Sequence, residues 1–213
     1  VKDQDNSAIY YGEEYGWVGV LAEIDPTSMY MISTSNSGTL EYAGVPVNPA
    51  NTPISINAGW NWIGYLPQVD IATNDALSTV LPEFEDIVKD QDNSAIYYGE
   101  EYGWVGVLEA MSPGKGYMLS ISNQSTLIYP NGSDGMARIV TPLEKAKVLP
   151  SSISSWAVNS RDYEFNATMT ISIDSRTDFD GDFVGVFVGN ECRGMAERTE
   201  FIIDGSYNYS VMV

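Results

Sequence analysis

The sequence contains no histidine, a single cysteine, and only 10 lysine and arginine residues against 29 aspartate and glutamate residues. Without histidine, the chain cannot carry a Ser-His-Asp or Cys-His catalytic arrangement or an imidazole metal ligand. The single cysteine, Cys192, excludes an intrachain disulfide and a cysteine-rich zinc site. The net charge of −19 disfavours nucleic acid, because phosphates would be repelled. No apolar run reaches the roughly 18 residues of a membrane-spanning helix, so none is predicted.

The composition is that of a folded protein. Hydrophobic residues make up 44% and aromatic residues 12% of the 213 residues, which is far from the composition of a disordered acidic tail. A chain of this length is expected to form one or two domains, each with its own core.

An internal repeat is the strongest pattern in the sequence. Residues 1–21 are identical to residues 88–108, and nine of the following 22 positions also match in the same register. The repeat identifies residues 52–130 as a complete module and residues 1–51 as the second half of another. Since half a module cannot bury its apolar face alone, we interpret the chain as a piece of a longer tandem array.

A mainly β fold is predicted, with antiparallel modules and one short helix per repeat. Strand patterns occur at 54–56, 60–66, 95–98, 104–108, 117–121 and 125–129. A helix is expected to begin near Asn74 as N-cap and to present apolar residues at three- and four-residue spacing as far as Val88, with a kink at Pro82. Trp60 and Trp62 alternate along one strand and are expected to point into the core.

The remainder of the chain has a different pattern. Residues 131–136 are rich in Gly, Ser and Asn and are predicted to be a linker. Residues 137–213 contain short strand patterns separated by Asp-Gly and Gly-Asn turns, which indicates a β-sandwich of immunoglobulin-like type. Because this part stops within the apolar run 211–213, we expect it to be cut short at its C-terminus.

Three sequence stretches resemble a known kind of repeat. GWNWIGYLP (59–67), GWVGVLEAMSPGKGY (103–117) and TLIYP (126–130) are similar to the tandem modules of large secreted or surface proteins of bacteria. DFVGVFVGNECRGMA (182–196) resembles the β-rich domain that follows such modules. The resemblance implies an extracellular, non-catalytic role in adhesion, display or binding. Residues 26–29 (Pro-Thr-Ser-Met) depart from the Pro-Gly-Lys-Gly of the second copy, which would suit a module that connects onward to the next one.

Aromatic residues around the repeated hairpin are the candidate ligand-binding residues. Indole and phenol rings can stack on the apolar faces of sugars, while neighbouring carboxylates accept hydrogen bonds from hydroxyl groups. Core packing is the competing and preferred interpretation, because aromatic residues on strands are usually buried. The candidates are Tyr98, Tyr102 and Trp104 in the second copy and Tyr11, Tyr15 and Trp17 in the first.

Acidic residues offer one candidate metal site. Four aspartates, Asp174, Asp178, Asp180 and Asp182, surround a glycine between two strand patterns, and calcium takes six to eight oxygen ligands of this kind. The spacing does not match an EF-hand loop, and a solvated Asp-Gly turn is the preferred alternative. No cofactor is required by the sequence, and calcium is the only one that it suggests.

The expected function is that of a non-catalytic extracellular repeat protein that acts in adhesion or in binding a ligand such as a glycan or surface polymer. Two alternatives stay open: a carbohydrate-binding accessory region of a larger hydrolase, and a purely structural stalk or surface-layer component. The adjacent glutamates 13–14 and 100–101 cannot face each other across a sugar, so glycoside hydrolysis is not expected. The first half-module should either complete its sheet with residues 43–58 or expose an edge that pairs with a neighbouring chain.

Overall fold

The structure, a computed structural model, is mainly β, as the sequence predicts. Every strand pair within the described part of the chain runs antiparallel. No helix among these residues is long and apolar enough to cross a membrane. The description covers residues 1–41, 44–131, 151–156, 158, 167–173, 181–200 and 207–213.

The first half-module forms a hairpin from β1 (Ala8–Tyr10) and β2 (Trp17–Gly19). Gly12 and Gly16 bound its loop with φ of 89° and 62°, a region that favours glycine because it lacks a Cβ. The Gly16 N–H donates to the Gly12 carbonyl at 2.8 Å and closes the loop. The loop conformation therefore requires glycine at these two positions of the repeat.

The complete module is built on a five-stranded sheet with the order β4-β10-β6-β7-β8. Two short pairs, β3–β11 and β5–β9, cover one face of it. A short 3-10 helix, residues 49–51, precedes them, with the Asn48 side chain accepting from the Ala50 N–H at 3.0 Å. The strands are β3 (Ile54–Ile56), β4 (Gly59–Gly64), β5 (Ile71–Ala72), β6 (Ile87–Lys89), β7 (Ser94–Tyr97), β8 (Trp104–Gly106), β9 (Ala110–Met111), β10 (Gly116–Ile121) and β11 (Ser125–Leu127).

One hydrophobic core fills this module, and its buried residues all lie between Ile54 and Tyr129. Three tyrosines meet in it edge to face, with the Tyr65 ring 6.0 Å from that of Tyr117 and 5.2 Å from that of Tyr129. Burial raises the pKa of all three phenols. They therefore remain neutral at ordinary pH, and the hydroxyl groups of Tyr65 and Tyr129 donate to backbone carbonyls.

The helix of the module is much shorter than predicted. Only α1 (Thr73–Ala76) is α-helical, its N-cap residue is Ala72, and the prediction of Asn74 as N-cap is wrong. The apolar pattern continues to Val88, but that residue belongs to β6. Pro82 lacks the N–H that a helix would need, and Glu85 adopts a positive φ of 70°, so the chain turns back into the sheet.

The two copies of the hairpin have the same local structure. Tyr10 pairs with Trp17 in β1–β2 as Tyr97 pairs with Trp104 in β7–β8, and both loops close with the same hydrogen bonds. The expectation that residues 43–58 could complete the sheet of the first half is wrong, because β3 pairs with β11 of the complete module. Identical sequence thus gives identical hairpins, although the packing around them differs.

The first half-module lies instead against the outer edge of β4. The Met29 N–H donates to the Trp62 carbonyl at 3.2 Å, and the Gly64 N–H donates to the Thr27 carbonyl at 2.9 Å. These bonds come from the segment 26–29, which differs from the Pro-Gly-Lys-Gly turn of the second copy. An edge strand with exposed backbone groups is a site for unwanted pairing, and this contact covers it.

We expect Gly64→Ala to release the first half-module from β4. The added Cβ would lie against the backbone carbonyl of Pro26, which cannot move like a side chain. Loss of about two hydrogen bonds of ~1 kcal/mol each would speed amide exchange in residues 22–41 by about tenfold or more. Mass spectrometry can measure this, because that stretch, unlike residues 1–21, occurs once in the chain.

Gly44→Ala is the matched control, since its added Cβ would meet no atom within 4 Å and no positive φ is recorded there. Exchange in residues 117–129 should stay unchanged in both variants. Equal exchange of residues 22–41 in Gly64→Ala and the parent chain would contradict the prediction.

The C-terminal part also contains antiparallel strands, in agreement with the short strand patterns of its sequence. They are organised as the sheet β12-β16-β15 and the hairpin β13–β14, with Trp156 packed edge to face on Phe187 at 5.3 Å. A 3-10 helix, Ser151–Trp156, precedes these strands in the chain. The predicted linker 131–136 lies almost entirely outside the described residues. The strands are β12 (Thr168–Ser172), β13 (Phe183–Val188), β14 (Glu191–Glu197), β15 (Thr199–Glu200) and β16 (Tyr207–Met212).

Candidate functional site

The most conspicuous aromatic surface of the complete module lies on the outer face of its sheet. Trp60 is 45% exposed and Trp62 is partly exposed, so the prediction that both rings point into the core is wrong. The inner face of β4 is formed instead by Asn61 and Ile63. The alternation was predicted correctly, but the side of the sheet that it faces was not.

Asn61 can occupy the inner face because its polar side chain is satisfied there. Its Oδ1 accepts from the Asn57 N–H at 2.9 Å, and its amide nitrogen donates to the Asn57, Gly59 and Leu119 carbonyls at 2.8, 2.9 and 3.3 Å. A buried amide costs little when its hydrogen bonds are made. The β3–β4 turn thus leaves the two indole rings on the outside.

A lysine ammonium group lies over the ring of each of the two tryptophans. Lys89 Nζ lies 5.1 Å from the Trp60 ring centre, and Lys2 Nζ lies 5.8 Å from that of Trp62. Lys2 and Lys89 are equivalent residues of the two repeats, so the first half-module provides one cation and the complete module the other. Burial lowers the pKa of Lys89. These cation–π contacts fix the rings on the outer face.

Gln4 holds the same strand through its side-chain amide. The amide nitrogen donates to the Trp60 carbonyl at 3.0 Å, and the oxygen accepts from the Trp62 N–H at 2.8 Å. Asn74 does the same at the opposite edge of the sheet, accepting from the Trp104 N–H at 2.7 Å and donating to its carbonyl at 3.1 Å. Each amide mimics the peptide group of a neighbouring strand.

Sequence reasoning missed both edge contacts and the outward tryptophans. The one available signal was the recurrence of lysine in the repeat, because residues 1–130 contain only three basic residues. The third, Lys115, binds the Asp90 carboxylate at 2.7 Å. Every basic residue of the two modules therefore has a defined contact in the structure.

The aromatic side chains of the second hairpin expose little surface to a ligand. Trp104 is only 7% exposed and belongs to the core, in agreement with the preferred interpretation of core packing, so its ring is not open to a ligand. Tyr98 and Tyr102 are half-buried, and the Tyr98 ring packs edge to face on Phe84 at 5.6 Å. Burial raises the pKa of Tyr98, and the nearby Glu85 carboxylate adds to the shift.

The same hairpin in the first half-module is open to solvent. Trp17 is 58% exposed, Tyr11 and Tyr15 are exposed as well, and Tyr15 lies in the loop between the two glycines. The structure brings Trp17 together with Tyr10, their ring centres 5.4 Å apart and the planes tilted by 51°. Among the described residues, no segment covers this copy of the hairpin as residues 52–87 cover the second, and its rings are exposed for that reason.

The acidic candidates are placed only in part. Asp174, Asp178 and Asp180 lie outside the described residues, whereas Asp182 immediately precedes β13. Within the described residues, no group of three or more acidic or cysteine side chains is arranged to hold a metal ion.

The repeated Asp-Gln-Asp-Asn segment has a structural role. Asp90 Oδ1 accepts from the Asp92 and Asn93 N–H groups at 2.8 and 2.7 Å, and Asp3 forms the equivalent pair of bonds in the first half. Both copies thus use this carboxylate to stabilise the tight turn before the hairpin. Cys192 is half-buried and its Sγ lies 3.4 Å from the Gly194 carbonyl.

Comparison with known proteins found no match for this chain among protein-family models, curated sequences or solved structures.

Proposed function

We propose that this chain is part of a non-catalytic extracellular repeat protein of bacterial type that binds carbohydrate, or a related surface polymer, in adhesion. The observation that carries the proposal is the outer face with Trp60 and Trp62. It is present in the complete module, where the hairpin tryptophan is buried, and its rings are held in place by Lys2 and Lys89. Rigid, partly exposed indole rings are suited to stacking on sugars.

A structural stalk is the second candidate, and a different observation favours it. The contact of Gln4, Thr27 and Met29 with β4 joins two successive modules by backbone and backbone-like hydrogen bonds. Repeated along an array, this contact would produce a linear arrangement of modules in which each protects the sheet edge of the next. The two functions are compatible, but only the first requires a ligand.

Binding to immobilised glycans and bacterial surface polysaccharides, followed by calorimetry on each hit, tests the proposal. We expect Trp60→Ala to weaken binding by about tenfold, since an aromatic stacking contact contributes about 0.5–1.5 kcal/mol. Trp17→Ala is the matched control and should bind like the parent chain. Absence of binding to every glycan would leave the structural stalk as the function. A loss of binding in Trp17→Ala but not in Trp60→Ala would assign the ligand to the hairpin of the first half-module.

A further inference from the structure

The contact between the first half-module and β4 is formed partly by a segment in which the two copies of the repeat differ. Lys2 and Gln4, which both contact β4, recur unchanged in the second copy. Residues 27–29 (Thr-Ser-Met), by contrast, are replaced by Gly-Lys-Gly at 114–116. Any difference between the copies in forming this contact is therefore expected to come from these three positions.

The turn that carries the segment differs between the copies. In the first, Asp25 Oδ1 accepts from the Thr27 N–H and hydroxyl at 2.7 and 2.6 Å. In the second, Ser112 replaces this aspartate, and Gly114 replaces the threonine with a φ of 79° that disfavours a side chain. The Thr27 carbonyl, which accepts from the Gly64 N–H, thus belongs to a backbone conformation that the second copy does not share.

The receiving side of the contact requires glycine. Gly64 and Gly116 are directly opposite each other in β4 and β10. A Cβ on Gly64 would lie against the Pro26 carbonyl oxygen, and a Cβ on Gly116 would lie against the side chain of Met29. In the first half-module the position of Gly116 is occupied by Met29 itself, so that copy lacks one of the two glycines.

An ion pair in the complete module lies where the first half-module contacts β4. Ser28 forms a β-bridge with β4 in the first copy, and its counterpart in the second copy is Lys115, whose Nζ binds Asp90 Oδ2 at 2.7 Å. Asp90 corresponds to Asp3, the residue before Gln4, which also bonds β4. The lysine side chain therefore connects two positions that border β4 in the first copy. A lysine at a sheet edge hinders the addition of a further strand.

We propose that the two copies have different roles in this contact: the first half-module contributes the segment 26–29, and the complete module only receives it. A methionine in place of Gly116 would occupy the space of Met29, and the Lys115–Asp90 ion pair closes the edge with which the complete module would contact another β4. The contact thus joins modules in pairs rather than in an unlimited row. In agreement, residues 131–213 contain no further GWNWIGY stretch.

This inference does not depend on glycan binding, and it limits the stalk candidate. A longer array would contain the contact only at every second junction between modules, because no module could both receive and contribute the segment. The partner of the first half-module is accordingly a module that has glycine at the positions of Gly64 and Gly116.

Ser28→Lys in the full chain tests the contributing side, because it places the residue of the second copy in the first. We expect the new ammonium group to bind Asp3 and amide exchange of residues 22–41 and 59–64 to become about tenfold faster or more. Ser28→Met, of similar length but without charge, is the matched control and should exchange like the parent chain. Unchanged exchange in Ser28→Lys, or equal acceleration in both variants, would overturn the role of the ion pair.

Gly116→Met tests the receiving side, because it places the residue of the first copy against Met29. We expect exchange of residues 22–41 to become about tenfold faster or more, while exchange of residues 125–129 stays unchanged because the core remains folded. Lys115→Met, at the adjacent position, is the control and should leave residues 22–41 protected. Unchanged exchange of residues 22–41 in Gly116→Met would overturn the proposal, since a copy with methionine at this position could then receive the segment. Ser28→Lys decides the proposal if Gly116→Met does not fold.

Discussion

Trp104→Ala is expected to destabilise the complete module by about 3–5 kcal/mol, whereas Trp17→Ala should change stability by about 0.5 kcal/mol or less. Trp104 is buried among the core residues, and its removal leaves a cavity that the surrounding strands cannot fill. Trp17 stands in an identical stretch of 21 residues but is 58% exposed, and its main ring contact is Tyr10. The pair therefore separates the effect of packing from that of local sequence.

Urea unfolding combined with amide exchange measures both variants. The opening free energy is followed in residues 117–129, which belong to the core of the complete module and have a sequence found once in the chain. A loss below about 1 kcal/mol for Trp104→Ala, or equal losses in the two variants, would contradict the burial seen in the structure.

Asp86→Ala is expected to lower the free energy of unfolding by about 3 kcal/mol, because three hydrogen-bond donors lose their acceptor at once. The carboxylate is 5% exposed. Its Oδ1 accepts from the Ser122 N–H and hydroxyl at 2.9 and 2.8 Å, and its Oδ2 accepts from the Glu83 N–H at 2.7 Å. These bonds tie the segment before β6 to the turn after β10, where sequence reasoning had predicted the end of a helix.

Asp86→Asn should cost less than Asp86→Ala, since one amide oxygen still accepts while the NH₂ group faces a donor. Glu101→Ala, in the exposed hairpin loop, is the control and should stay within about 0.5 kcal/mol of the parent chain. Thermal and urea unfolding measure all three variants. If Asp86→Ala were as stable as the Glu101→Ala control, the hydrogen bonds of the Asp86 carboxylate would make no net contribution to the free energy of unfolding.

Much of the module could be predicted because its signals are local. The strand positions follow from apolar and aromatic runs bounded by Gly and Pro, and the hairpin loop follows from the glycines at 99 and 103. The helix was overestimated because residues 77–88 have an apolar spacing that fits a helical face. The last residues of this segment instead enter β6, which pairs with the adjacent β7 and with the distant β10.

The candidate site was harder to predict. Alternation places Trp60 and Trp62 on one side of their strand, but which side is buried depends on what covers the sheet. Asn61 and Ile63 face the core because β3, β5 and α1 lie over that face, a fact that no local pattern contains. The contacts of Gln4 and Lys2 with β4 join residues almost sixty positions apart, which local spacing cannot reveal.

The sequence by itself determined the repeat, the antiparallel hairpins and the acidic, histidine-free composition that excludes histidine chemistry. Hairpin register and turn type are local properties, and so they are the same in residues 8–19 and 95–106. Only the tertiary structure decided that Trp104 is core while Trp17 is surface. Burial is a property of the elements that pack on a residue, and residues 52–87 cover one copy of the hairpin and not the other.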